Sequence, residues 1–408
     1  MPKQKYFILI LILGSLTALG PFSIDMYLPG FSAIAVDLNT TVNKVSLSLS
    51  SYFIGISAGQ LLYGPLLDRF GRKRPLYIGL AIYILASLGC AFATNIDAFI
   101  VLRFVQAVGS CAATVAAMAM VRDLFPIKDT PKVFSLLMLV VGLSPMLAPT
   151  IGGYVIADLG WHMVFLILMV MGIAVLLSAR FGLPHTRKPD ATISLKPGPI
   201  LRGFADVLKN AQFLTYALSG GLAFTGLFTY VAGSPILFMD IFGTSEKVYG
   251  WIFAFMSLSF IGSSQLNSLL LRRFTSEQLV YVALLLQVFM AFLFLLAAVN
   301  DWFSLYGTIA MLFLFLACLG LSNPNTAGLS LAPFSRNAGS ASALLGALQL
   351  GLGALASVAV GIFVKDSMVP MIAIMLAGTL LALLVLLIGR RKIKNLAIGR
   401  RSNDVTDD

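Results

Sequence analysis

Gly64-Pro65-Leu66-Leu67-Asp68-Arg69-Phe70-Gly71-Arg72-Lys73-Arg74-Pro75-Leu76 is a short basic break between two apolar runs, residues 44–66 and 76–94. Each run has the length at which a helix, about 20 residues long, crosses the hydrocarbon of a bilayer. The same alternation continues in both directions from this break. Long apolar runs alternate with short polar ones over the whole chain. Of the 408 residues 59% are hydrophobic and 11% are charged. A soluble domain carries about 25% charged residues, because it needs polar surface to cover its core. A β-barrel would read as weakly alternating segments of about ten residues, which these are not. The fold class is therefore an all-α membrane protein.

The pattern predicts twelve spans: 6–32, 44–66, 76–94, 97–121, 132–156, 161–182, 213–237, 246–270, 277–298, 302–327, 338–363 and 368–389. They are called spans one to twelve below. Lys3 and Lys5 before the apolar run from Tyr6 look like the start of a signal peptide. The run has no clear small-x-small cleavage site and continues through Asp25, so it reads as a retained first span. With both termini cytoplasmic, nearly all Lys and Arg fall in cytoplasmic loops, and only Lys44, Lys247 and Lys365 fall on the other side. This is the asymmetry that orients a chain in a membrane. It also accounts for the net charge of +11 without nucleic acid as a partner.

Residues 183–212 link spans six and seven, and Pro184, Pro189, Pro197 and Pro199 interrupt them. Ile200, Leu201, Phe204, Val207 and Leu208 recur at helical spacing, which predicts a short helix on the membrane surface. Leu66-Leu67-Asp68-Arg69-Phe70 after span two is echoed by Leu270-Leu271-Arg272-Arg273-Phe274 after span eight. The echo suggests two six-helix halves, 1–182 and 213–408 with its basic tail, joined by the linker at 183–212. Cys90, Cys111 and Cys318 lie apart inside apolar runs, without metal-ligand spacing, and read as packing residues. His162 and His185 read as loop residues. The sequence shows no metal site, phosphate-binding loop or nucleophile–base set, and this argues against an enzyme.

The loop after span two resembles the signature loop of the major facilitator superfamily, G-x-L-x-D-R-x-G-R-K-x-x-L, at every defined position. Gly64 and Gly71 suit close helix approach and a tight reversal. Asp68 is an acid amid Arg69, Arg72, Lys73 and Arg74. The resemblance implies that Asp68 faces the N-terminus of span eleven, with Arg122 as a second partner, and that the set acts as a conformational lock. Span five carries Gly142, Ser144, Pro145, Ala148, Pro149, Gly152 and Gly153 on one face. Such residues let helices pack closely in lipid. They resemble the antiporter motif of drug-exporting facilitators, which ends G-P-x-x-G-G, with Ala148 and Ser144 in place of glycines.

Asp25 and Arg103 are charges within spans, which are costly and by default functional. Both lie six or seven residues from the same side, so they are at similar depth. Arg103-Phe104-Val105-Gln106-Ala107-Val108-Gly109 resembles the proton-coupling motif in span four of these exporters. Asp25 is expected to share a cavity with Arg103 and to take and release a proton. Asp25-Met26-Tyr27-Leu28-Pro29, Ser234-Pro235, Asn323-Pro324-Asn325 and the run from Ala338 to Gln349 resemble the Bcr/CflA subfamily, named for bicyclomycin and chloramphenicol resistance. The resemblance covers essentially the whole chain. It implies proton-coupled export of small, lipophilic, drug-like substrates from the bacterial inner membrane by alternating access. The proton is the coupling ion, no other cofactor is implied, and a monomer is the expected working unit. A facilitator exporting a physiological metabolite (a peptide, an amino acid or a siderophore) would use the same scaffold. Candidate substrate contacts are Phe22, Met26, Tyr27, Tyr52, Phe53, Phe224, Phe228 and Tyr230, with Asn323 and Gln349 as polar groups in spans.

Overall fold

The computed structural model describes residues 3–126, 129–184, 186, 189–190, 197–300, 302, 304–334, 338–364 and 367–404. His185, Lys128, Arg187, Lys188, Lys196, Arg336 and Lys365 lie outside them. Among the described residues there is no strand. Eleven helices among the described residues are long and apolar enough to cross a membrane by length and composition. Predicted span eight is a twelfth long helix, Glu246–Leu270. It is less apolar than the others because it carries Glu246, Lys247, five serines, Gln265 and Asn267. Apart from span one, the remaining spans are Val42–Arg69, Lys73–Ala91, Ile96–Leu124, Thr130–Leu159, Trp161–Gly182, Ala211–Pro235, Ser276–Val299, Leu305–Leu331, Ala338–Phe363 and Val369–Asp404. Large apolar side chains stand exposed along them, including Ile78, Leu85, Phe181, Phe289, Leu355 and Ile388. Such a surface is stable against acyl chains rather than water.

Several helix starts are locally encoded. Asn95 accepts the Ala98 N–H at 2.8 Å, and Thr275 with Gln278 forms a reciprocal capping box. Phe70 N–H closes on Leu66 O at 3.0 Å, and Phe274 N–H closes on Leu270 O at 2.9 Å. The two echoed pentapeptides thus end their helices with the same backbone bond.

Four expectations need correction. Span one is not one helix over 6–32. It stops at Asp25, passes a 3-10 turn at Leu28–Gly30 and resumes as Phe31–Asp37, because Pro29 has no N–H to continue the ladder. Span twelve does not end at 389 but runs through Arg390, Arg391 and Lys392. His162 is not in a loop. It sits in the first turn of Trp161–Gly182, stacked on Trp161 at 3.8 Å and 3.4 Å from the Asp37 carboxylate. The linker does form a helix, Pro197–Leu208, but its apolar face is not left to lipid alone. Val207 is buried in a cluster with Phe213, Ala217, Ala341 and Leu344, and Phe204 packs against it.

The chain forms two compact units that do not follow its midpoint. One comprises residues 1–195, 230–258 and 357–368; the other comprises 196–229, 259–356 and 369–408. In the first unit, spans two, three and four meet at backbone distance. A Cβ on Gly55 would lie 2.7 Å from Phe104 O, and one on Gly79 would lie 2.2 Å from Ala112 Cβ. Small residues replace the hydrophobic drive that lipid removes. Tyr27, Phe31, Phe99, Trp161 and Phe165 form an aromatic cluster with ring centroids 5.2 to 6.4 Å apart. The second unit is built on Tyr216, Ala223, Val280, Leu284, Leu319, Ala382 and Leu386. Cys90, Cys111 and Cys318 are unpaired and buried.

Candidate functional site

Arg103 is wholly buried, at 0% exposure. A guanidinium in such a place needs partners; both terminal nitrogens have one, and Nε is buried without one. Its Nη2 donates to Ser23 O at 2.8 Å, and its Nη1 donates to Gln106 Oε1. Its carbon lies 4.2 Å from the Tyr27 ring centroid, 4.3 Å from that of Tyr52 and 5.6 Å from that of Phe165. Desolvated cation–π contacts are worth about 2 kcal/mol each. The rings are fixed in turn: the Tyr27 hydroxyl bonds Ser48 at 3.1 Å, and the Tyr52 hydroxyl bonds Ser110 at 2.8 Å. Gln106 passes the chain on to Ser87 at 2.7 Å, and Ser23 meets the Tyr83 hydroxyl at 2.8 Å. Of these partners, only Gln106 and Tyr27 stood in a quoted motif.

Asp25 is also buried, at 5% exposure. It terminates the first helix of span one, where the ladder breaks. No ion pair joins it to Arg103 among the described residues. The arginine grips the main chain two residues earlier instead, at Ser23 O. Tyr230 and Tyr249 lie within electrostatic reach of the Asp25 carboxylate, and the Tyr230 hydroxyl is buried without a partner. Among the described residues the arginine thus clamps the backbone beside the acid rather than the acid itself.

The substrate candidates divide accordingly. Tyr27 and Tyr52 have their faces filled by Arg103, and Met26 and Phe53 are buried. Tyr230 stacks on Phe253 at 5.3 Å. Phe22 and Phe224 are half-buried. In the second unit Phe224 meets Phe228 edge-on at 5.3 Å, and Phe228 lies against Gly353. Asn323 and Gln349 are brought together: Gln349 Nε2 donates to Asn323 Oδ1 at 2.9 Å, linking spans ten and eleven. Gly220 abuts Thr326 and Gly221 lies by Gln349, so span seven reaches both neighbours at this level. Pro324 removes one backbone donor from span ten. Next to it Asn325 donates to both Leu321 O at 2.9 Å and Asn267 Oδ1 at 2.6 Å. Asn267 drew no notice in the sequence; a lone amide in a serine-rich helix gives little signal.

The antiporter-motif face of span five packs antiparallel on the first half of span eight. Ser257 Oγ donates to Pro145 O at 3.3 Å, and Thr150 Oγ1 donates to Gly250 O at 3.2 Å. A Cβ on Gly153 would lie 2.4 Å from Glu246 O, and one on Gly152 would lie 1.9 Å from Met26 O. Lys247 Nζ pairs with Asp158 at 2.9 Å at the end of this seam. Ala148 and Ser144 are buried, and Ser144 Oγ is spent on Val140 O at 2.8 Å.

In the signature loop Arg72 is the organiser. Its Nη1 pairs with Asp68 at 2.7 Å and its Nε with Asp123 at 2.9 Å. Arg72 thus joins Asp68 to Asp123, the acid next to Arg122, and Arg122 is exposed. Arg69 O accepts the Asp190 N–H at 3.0 Å. Gly71 has φ 78°, a turn conformation that suits glycine. A Cβ on Gly64 would meet nothing within 4 Å, so close approach is not what this glycine serves here. Each ion pair alone is worth about 1 kcal/mol or less, given that Asp68 is 40% exposed. Arg72→Gln is expected to lower transport more than either Asp68→Asn or Asp123→Asn. Each acid variant keeps one pair, while the arginine variant loses both. Initial uptake rates in inverted vesicles rank the three, and an Asp68→Asn rate below that of Arg72→Gln would contradict the bridging role.

The Major Facilitator Superfamily profile matches residues 13–357. The chain is 32% identical over 385 residues to the bicyclomycin resistance protein homolog of Haemophilus influenzae, covering 94% of this chain and 96% of that one. It is 32% identical over 381 residues to the multidrug resistance protein MdtL of Escherichia coli, covering 88% and 93%. It is 35% identical over 374 residues to the MFS-type transporter YdgK of Bacillus subtilis, covering 90% and 91%. Among solved structures, a D-xylose–proton symporter superposes with a TM-score of 0.75 at 15% identity, over 93% of this chain and 97% of that one. That likeness speaks for the fold alone. The chain belongs to the major facilitator superfamily of membrane transporters, alongside relatives named for bicyclomycin and multidrug resistance.

Proposed function

We propose that this transporter exports small lipophilic drugs across the bacterial inner membrane in exchange for protons, by alternating access, with Asp25 as the proton carrier and both termini cytoplasmic. The observation that carries the reading is a buried carboxyl with no ion pair among the described residues, two residues from a main-chain carbonyl held by a buried arginine. Asp25 sits where span one loses its ladder, so a change in its charge acts on a segment that already lacks backbone bonds. A carboxylate fixed by a salt bridge would resist titration, and no described residue forms one with Asp25. The names of the resistance-type relatives support drugs as the substrate class. The Asn323–Gln349 pair and the Phe224–Phe228 edge offer hydrogen bonds and apolar surface to such molecules.

Purified protein in weakly buffered detergent is expected to release protons when a chloramphenicol-like or bicyclomycin-like compound is added. Asp25→Asn is expected to bind the compound without releasing any. Equal proton release from the variant would remove Asp25 from the role. Absence of binding in wild type would favour an exported metabolite as the true substrate.

A further inference from the structure

A cavity of about 160 Å³ opens at the N-terminus of span three, lined by Gly71, Arg72, Lys73, Arg74 and Thr186 among others. The helix Lys73–Ala91 begins there with no side-chain cap and no acid in its first turn. Its positive end therefore faces Lys73 and Arg74, which is the unfavourable sign for a helix N-terminus. Arg72 is neutralised by Asp68 and Asp123. Lys73 is not. It is only 8% exposed, yet it makes no ion pair or hydrogen bond with any described residue. The Thr186 hydroxyl oxygen is likewise buried and without a partner. A mostly buried lysine without a partner among the described residues, an idle hydroxyl and a bare helix start around one cavity lack a single component, an anion with several acceptor oxygens.

We propose that this cavity binds a phosphate group, held by Lys73, Arg74, the first amides of span three and Thr186. The volume corresponds to about five waters at about 30 Å³ each, room for a phosphate group. The charge that Lys73 brings is compensated only when the anion is in place. Bound phosphate would tie the signature loop to the start of the linker, where the Asp190 N–H already bonds Arg69 O at 3.0 Å. Two sources carry this chemistry, the headgroup of an anionic phospholipid and free phosphate. Exposed Ile78 lies about 7.5 Å further along the same helix by its rise of 1.5 Å per residue, which puts the cavity at headgroup depth.

Native mass spectrometry of the full-length protein tests this with three probes: phosphatidylglycerol, the diacylglycerol of the same acyl chains, and inorganic phosphate. Wild type is expected to retain phosphatidylglycerol and not diacylglycerol. Lys73→Gln is expected to weaken that binding roughly tenfold, the loss of one charged hydrogen bond, and Lys73→Arg to restore it. Thr186→Val removes a hydroxyl that bonds nothing in the protein, so its fold should be intact, and it is expected to bind several-fold more weakly. Displacement of the lipid by inorganic phosphate would assign the site to free phosphate as well; no displacement would assign it to the headgroup. Equal retention of phosphatidylglycerol by wild type, Lys73→Gln and Thr186→Val would overturn the proposal, as would failure of both phosphate-bearing probes to bind.

Discussion

Arg103→Lys is expected to cut drug transport at least about tenfold, although it preserves the charge. The guanidinium works as a flat plate with donors at its corners. One corner holds Ser23 O at 2.8 Å, another holds Gln106, and its carbon sits 4.2 and 4.3 Å from two tyrosine ring centroids. An ammonium is a compact point charge and cannot fill that slot. Losing one charged hydrogen bond costs about 1.5–3 kcal/mol, which is tenfold or more at about 1.4 kcal/mol per decade. The bond most exposed to loss is the one to Ser23 O, which fixes the end of span one beside Asp25. Transport in inverted vesicles and the thermal midpoint of the purified variant should be read together. A stable variant with poor transport is the expected pair. Wild-type rates would mean that charge alone suffices and that the clamp geometry is incidental.

Gly152→Ala is expected to be the most damaging single-methyl change in the span-five motif. Its new carbon would stand 1.9 Å from Met26 O, a backbone atom in the non-helical bend of span one. That bend cannot retreat without moving Tyr27, whose ring lies against Arg103. Overpacking of this kind costs about 3 kcal/mol or more, which predicts a thermal midpoint lower by about 5 °C or more. Gly64→Ala is the matched control. Nothing lies within 4 Å of its added carbon, so alanine's better helix propensity, worth about 0.5–1 kcal/mol, should leave stability equal or slightly higher. Equal midpoints for the two variants would show that spans one and five are not held at this distance.

The helices were legible because a bilayer demands apolar runs of a set length, and that demand is written directly in the sequence. What hydropathy does not register is where a run loses its hydrogen bonds. Span one reads as continuous through Tyr27-Leu28-Pro29, yet the missing Pro29 N–H splits it just after Asp25. Span eight passes as apolar by eye, although its serines and Asn267 make it the least apolar of the set. At the site, Asp25 and Arg103 stand out because charge in a membrane is costly. Their relation to each other was not legible, since Arg103 bonds a backbone carbonyl and every residue has one. The same blindness hid the bridge from Arg72 to Asp68 and Asp123. Both acids and both bases were visible, and only the turn at Gly71 decides which of them meet. Asn323 and Gln349 were each marked as polar, but nothing in the linear order says that a hydrogen bond joins them.

The burial of the three cysteines has a practical meaning. Their thiols are shut away from aqueous reagents, and a buried thiol in apolar surroundings is slow to react. Cys111 is further held by Ile56 O at 3.5 Å and lies against Gly59, so exchanging it for another side chain would disturb the contact between spans two and four. The natural chain is therefore already a quiet background for site-directed labelling. A single thiol introduced at an exposed position, such as Val36 or Tyr306, would carry a fluorophore or spin label selectively, with the native cysteines left in place.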